Sequence, residues 1–353
     1  MRRPPKPKRR YRLRNWREYT TARRTRGSLT LWCDEAVLAS WVARERTGRR
    51  GRSRTYSDAA VACMLTLQVV YRLSLSATVG LMRSLLALLG GPAAALPVAH
   101  ESTLSRRRRA LDVALLPPAR LTPGAPVHLV VDTTGLKVYG EGEWKVRQHG
   151  WARRRTWVKV HLGVDAATQE VRVADVTAAA APDGRQLPAL LAQEPAALAQ
   201  VTGDGAYEGR ACYAAVAARP ERPRAVFPPR RERRRGRRPR PTKSRPRPAA
   251  WRRDRGYALH VWQHGNCHAP PLDRDQHVRR IRRVGRRRWK REVGYHRRSL
   301  AETAISRDKR LFGPGLAVRD PAGQRAAVRL RYAALNRMTA LGMPDSYPAD
   351  ANA

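Results

Sequence analysis

Acidic residues are scarce in this chain. Its 353 residues hold 28 Asp and Glu against 72 Lys and Arg, a formal net charge of +44. An excess of one sign on that scale repels itself and is offset only by dense negative charge, so the shortage of acid points to a polyanionic partner, nucleic acid first. Cysteine is scarce as well. Cys33, Cys63, Cys212 and Cys267 are scattered with no CxxC pair, which excludes a disulfide framework and a zinc ribbon and suggests a reducing compartment. Long apolar runs are also missing. The opening MRRPPKPKRR has no apolar stretch after it to make a secretory signal. The longest apolar run, around Leu85 to Ala95, is interrupted by Gly90, Gly91 and Pro92 and cannot cross a bilayer. A soluble, cytoplasmic protein with no membrane partner is the expectation. A bare basic binder of the ribosomal or chromatin type would fit the charge, but this chain carries too much regularly organised apolar sequence for that class.

What is present divides into blocks. Residues 1–28 are basic and interleaved with Tyr11, Trp16 and Tyr19, as in an arm that stays flexible until it meets nucleic acid. Residues 29–120 read as helical. TYSDAAVACMLTLQVVYRLS and SLSATVGLMRSLLALLGG carry polar starts and helical apolar spacing, and ESTLSRRRRALDVALL follows as a short helix bearing Arg106, Arg107 and Arg108. Three helices with a basic third one fit a helix-turn-helix reader, with those arginines on DNA, or equally an ordinary helical subdomain. From residue 122 to 345 the pattern changes. APVHLVVDTTGLKVYG, WVKVHLGVD and EVRVADVTAAA read as three strands, GRQLPALLAQ as a helix, AQVTGDGAYEG as a strand, GRACYAAVAAR as a helix and RAVFPPR as a fifth strand. That order predicts an α/β core with a mixed (α+β type) sheet. A block of about 230–260 interrupts it; Arg230 to Arg255 alone has 14 Lys and Arg in 26 residues, plus prolines, and offers nothing to pack. Helices resume beyond it, and residues 346–353 form a polar tail.

Three acids stand out against this basic background. Asp132 and Asp204 each end a predicted strand, where side chains escape packing and ligands collect. Glu302 lies in GYHRRSLAETAISRDK. Read as one helix at about 100° per residue, that stretch puts Tyr295, Arg298, Glu302 and Lys309 within an arc of roughly 60°, a lone carboxylate in a cationic stripe bordering the core. Two strand-end aspartates and a helical glutamate, in a protein suited to polyphosphate, are ligands for a two-magnesium phosphoryl-transfer site. By the same local reading Asp165, Asp175 and Asp183 belong to a hairpin turn, a strand edge and a turn. Trp144 and Trp157 read as packing residues, with a wedge into DNA near the hairpin as the alternative, and His260, His264, Cys267 and His268 match no standard zinc spacing.

The segments VDTTGLKVYGEGEWKVRQHG, GDGAY and GYHRRSLAET resemble the DDE transposases of the insertion sequence five family. Tyr295, Arg298, Glu302 and Lys309 fit the Tyr-x2-Arg-x3-Glu-x6-Lys signature of the wider superfamily at all four positions. The resemblance implies an RNase H-like catalytic domain behind the helical domain, with Asp132, Asp204 and Glu302 as a catalytic and metal-binding triad. It implies two Mg²⁺ ions, for which Mn²⁺ would substitute, and Tyr295, Arg298 and Lys309 on DNA near the cleaved phosphate. The partners it implies are double-stranded DNA, as terminal inverted repeats and as target, and a second copy of the chain in the DNA complex. The setting would be a bacterial cytoplasm, at the nucleoid. A catalytically inactive remnant, or a repressor of the same element, is the alternative.

Overall fold

The computed structural model describes residues 11–44, 53–121, 124–138, 157–230 and 273–349. The 230–260 block (all but Arg230), Trp144, Cys267 and the histidines around it fall outside the described residues. Two compact units emerge, one formed by Met1–Val113 with Leu330–Ala353 and the other by Ala114–Arg329.

In the first unit, helices α1 (Trp16–Thr25), α2 (Glu35–Ala39), α3 (Asp58–Val70), α4 (Leu75–Leu89), α5 (Gly91–Ala94) and α6 (Glu101–Arg108) follow in order. The expected polar starts are real caps: the Ser57 hydroxyl accepts from the Ala60 N–H at 3.0 Å and that of Ser74 from the Ala77 N–H at 3.1 Å. Gly90, at φ +65°, ends α4 in a conformation that L side chains rarely adopt. Trp32, Trp41, Met64, Leu67, Met82 and Leu104 are fully buried between the helices.

Two expectations about the chain ends need correction. The arm is ordered from Tyr11, because strand β1 (Tyr11–Leu13) pairs antiparallel with β8 (Ser346–Pro348). The Asn15 amide donates to the Met343 carbonyl at 2.8 Å and its oxygen accepts from the Asp345 N–H at 2.8 Å. Those bonds occupy backbone and amide groups that a free arm and a frayed tail would leave to water. They also place the end of the chain with the first unit rather than with the catalytic segment expected to run to residue 345.

The second unit contains α7 (Pro118–Leu121), β2 (Val127–Val138), β3 (Trp157–Asp165), β4 (Val171–Ala178), α8 (Asp183–Ala192), β5 (Leu198–Thr202), α9 (Arg210–Ala217) and β6 (Arg224–Val226). It continues with α10 (Asp273–Val284), α11 (Arg286–Glu292), α12 (Ser299–Phe312), β7 (Gly315–Leu316) and the start of α13 (Pro321–Ala340). The strands order as β4-β3-β2-β5-β6. β2, β3 and β4 run antiparallel, whereas β5 and β6 run parallel to β2 through the α8 and α9 crossovers. This mixed α/β sheet is compatible with the RNase H-like arrangement expected from the resemblance.

Side-chain parity assigns the two faces of the sheet. Val127, Leu129 and Val131 of β2, with Ala225 and Phe227 at β6, join Leu187, Leu190, Cys212 and Tyr213 of α8 and α9 in one large apolar core. Val226, the residue between, packs instead with Val278, Ile281, Trp289 and Val293 in a much smaller one. By the same alternation Asp132 shares the parity of Val130, opposite to Leu129 and Val131.

Candidate active site

Asp132 does not end its strand. β2 runs six residues past it, because β3 keeps pairing as far as Lys137 opposite Trp157. What ends near Asp132 is its other neighbour. The parallel ladder to β5 stops at Val130 opposite Thr202, and β7 joins that edge only at Lys137. Asp132 therefore lies in a gap between two parallel neighbours, where one edge of a central strand is open among the described residues. The expectation that Asp132 ends its own strand is therefore corrected: the strand that ends beside it is β5.

Asp204 follows β5 by two residues and opens a short 3-10 turn, its carboxylate accepting from the Ala206 N–H at 2.7 Å. Behind it the Tyr207 ring is fully buried, packed under Gly203, where an added Cβ would come within 2.8 Å of it. The third acid, Glu302, stands in the first turn of α12, and Ala301, Ala304 and Phe312 bury the opposite side of that helix.

Arg298 ties two of the acids together. Its Nη1 lies 3.7 Å from Asp132 Oδ2, and its Nη2 donates to Glu302 Oε1. The acids differ in exposure: the Asp132 side chain is 14% exposed and that of Glu302 51%. Burial pushes the Asp132 carboxyl above its ordinary value; the Thr133 N–H and Arg298 oppose that, and the charges of Asp204 and Glu302 add to it. Asp132 thus senses both other carboxylates. Even so, no three His, Cys, Asp or Glu side chains among the described residues gather closely enough to hold one ion. The three acids suit a hard divalent cation by donor chemistry, and the guanidinium supplies the positive charge between two of them.

The stripe of four needs revision. Tyr295–Arg298 is a 3-10 turn and α12 begins only at Ser299, so Tyr295 does not share a helical face with Glu302. Gly294, at φ +64°, starts that turn. Tyr295 is half-buried, its ring 6.0 Å from that of Trp289 and under the Lys290 ammonium at 5.0 Å. Arg298 and Glu302 remain one turn apart, and Lys309 lies in the last turn of the same helix. In the other unit, Arg106 is exposed at the end of α6, whereas Arg107 turns inward to Asp58 at 2.5 Å and Arg108 is buried.

A polar network that local sequence reading missed lies on the Asp132 side of the sheet. His128 Nε2 is 2.8 Å from Thr202 Oγ1 and 3.1 Å from the Gln200 amide, which donates to the Val293 carbonyl at 3.3 Å. Burial, with help from Arg297, holds the His128 imidazole down at about 4, so it is neutral. The network connects β2 and β5 to the residue before Gly294. Its only signal would have been the β2–β5 register, which no short stretch contains. Of the other three acids, Asp165 caps the β3–β4 turn and Asp175, on the edge strand β4, accepts from Gln186 at 2.5 Å, whereas Asp183 opens α8 rather than a turn and pairs with Lys159 at 2.8 Å.

Two family models described as "Transposase DDE domain" match the chain, one over residues 24–141 and the other over residues 123–337. Among solved structures, a piggyBac transposase synaptic complex with hairpin DNA, determined by cryo-EM, aligns over 92% of this chain and 74% of its own. The identity is 12% and the TM-score 0.35, too loose a likeness to locate any element.

Proposed function

The chain belongs to the family of DDE-domain transposases, enzymes that cleave DNA and transfer its strands, and from that premise we propose that it acts on the terminal inverted repeats of an insertion sequence with Asp132, Asp204 and Glu302 as its catalytic acids. The observation that carries this reading is the gap beside β2, where Asp132 is half-buried and within the field of both other acids. Asp132, Asp204 and Glu302 would hold two divalent ions, Mg²⁺ being the fitting choice for an all-oxygen donor set. When bound, such ions stabilise both the attacking and the leaving oxygen of an in-line displacement.

The remaining work belongs to the chain's own groups. Arg298 has a planar fork that can bind a phosphate through two oxygens, and Lys309 offers a point charge on the same helix. Tyr295, packed against Trp289, would stack on or hydrogen-bond to a displaced nucleotide. In hydrolysis a water oxygen bonds to phosphorus as the bond to the 3′ oxygen breaks, and the freed 3′-OH then attacks a phosphodiester of target DNA in the same site, bonding to its phosphorus and expelling the target strand's 3′ oxygen. Helices α3, α4 and α6 serve repeat recognition, with Arg106 the α6 arginine best presented to DNA. The working form on DNA is a homodimer, in the bacterial cytoplasm. A second reading, an inactive remnant or repressor, draws support from Arg298, which pairs with two of the three acids.

Nicking of a duplex carrying the element's own inverted repeat, identified from the DNA flanking the gene, separates the two. Wild type is expected to cleave with Mg²⁺ or Mn²⁺. Asp132→Asn, Asp204→Asn and Glu302→Gln are expected to bind the repeat and cleave nothing. An inert wild type on verified ends would favour the remnant.

A further inference from the structure

Helices α10 and α11 are crowded with arginine, and several of these have a structural task. Arg274 is buried and donates to Glu208 through Nε at 2.9 Å and Nη2 at 2.6 Å. Arg280 and Arg288 both grip Glu292, at 2.7 and 3.1 Å. Arg286 donates to the Pro229 carbonyl at 3.0 Å. Four are left over. Arg279, Arg283, Arg287 and Arg291 are all exposed, and no carboxylate among the described residues pairs with them.

Their spacing is costly to the helices that carry them. Arg279 and Arg283 stand four apart on α10, and Arg287 and Arg291 four apart on α11. One turn, about 6 Å of rise, separates each pair. Like charges at that spacing destabilise a helix. No anion of the described chain offsets the cost, so the compensating charge would come from a partner.

The mounting is rigid. Trp289, between the α11 arginines, is fully buried, and its Nε1–H donates to His277 Nδ1 at 3.2 Å. His277 in turn meets the Ala225 carbonyl of β6 through Nε2 at 2.8 Å. Lys290 lies over Tyr295, three residues before Arg298. The helices that carry the four arginines are thus anchored to the sheet and to the segment that reaches Asp132. Planar guanidinium forks match phosphate oxygens better than ammonium groups do.

We propose that the outward faces of α10 and α11 form a track for the backbone of duplex DNA, with Arg279, Arg283, Arg287 and Arg291 as its phosphate grips, a role that rests on the transposase reading of the neighbouring acids. Each phosphate neutralised adds about 0.9 to the slope of log affinity against log salt.

The test measures binding of the full chain to a labelled random-sequence DNA duplex across a salt series. The variant R279Q/R283Q/R287Q/R291Q is expected to flatten the slope by about 3 to 4. A variant with the same charge loss at other exposed arginines of this unit, R185Q/R210Q/R222Q/R325Q, is expected to flatten it by less than about 1. The four-lysine version of the track should keep the wild-type slope. If the four-glutamine chain does not fold, R287Q/R291Q should still flatten the slope by about 2. Equal flattening by both four-glutamine variants, or none in the track variant, would overturn the proposal, as would preference of the track for duplex RNA. Asp132→Asn is expected to keep the slope and abolish cleavage. A wild type that cleaves nothing but loses its slope in the track variant would support the track and sink the enzymatic reading.

Discussion

The two faces of the central sheet differ in what their charges do. On the α8 and α9 face the core is large and apolar, and at its margin charges are spent internally: Arg172 donates to Glu194 at 2.5 and 2.6 Å, with both side chains buried. Arg172 falls in a β-bulge, where Val164 pairs with Val171 and Gly163 with Val173, so it leaves the ladder and is re-aimed. On the α10 to α12 face the core is small, and the charges around it are partly exposed and partly unmatched. Where packing is thin, side chains stay available for a ligand. Substitutions on the first face should therefore cost stability, and on the second chemistry or DNA binding.

The largest expected effect tests the second half of that contrast. Glu302→Gln should remove cleavage altogether while the thermal midpoint stays near wild type, because its side chain is half-exposed. Asp132→Asn should also remove cleavage, but with a gain in stability at neutral pH. Its carboxyl has a raised folded-state value, so the ionised form is unfavourable in the native protein, and this destabilisation disappears as pH falls. A loss of stability at neutral pH in Asp132→Asn would break the comparison at its centre.

Next in size is Arg172→Met. It leaves Glu194 charged and buried without its partner, and urea unfolding should report a loss of about 3–5 kcal/mol. Repeat cleavage at a temperature where the variant is folded should be unchanged. Gly163→Ala should cost about 1–3 kcal/mol by overpacking, since its Cβ would meet Val173 Cγ2 at 2.6 Å and Leu129 Cδ1 at 2.9 Å. No loss there would mean that the large core is looser than its contacts imply.

The smallest effect concerns His128. Its folded value of about 4 lies below the ordinary 6.5, so the unfolded chain takes up the proton first. Stability from this group is complete above about 6.5 and is lost as pH falls toward 4. His128→Gln should flatten the pH dependence of unfolding across that window. An unchanged profile would place the titrating group elsewhere.

Much of the architecture was legible in the chain itself. Alternation in WVKVHLGVD and EVRVADVTA, the apolar run before Asp132, and the polar starts at Ser57 and Ser74 are local signals, and each became the element it predicts. Residue type and spacing also singled out Asp132, Asp204 and Glu302, because isolated acids in a chain of net charge +44 are conspicuous. The register was not local. That Asp132 faces a gap, that Arg298 reaches it, that Tyr295 leaves the helical stripe, and that β1 pairs with β8 depend on partners far along the chain. Nor does composition say which arginines are consumed internally: Arg274 and Arg283 read alike in sequence, and only packing buries one against Glu208 and leaves the other exposed. Short-range pattern fixes what each segment can become, whereas pairing across tens of residues decides which side chains meet, since that choice is made by the burial of whole faces.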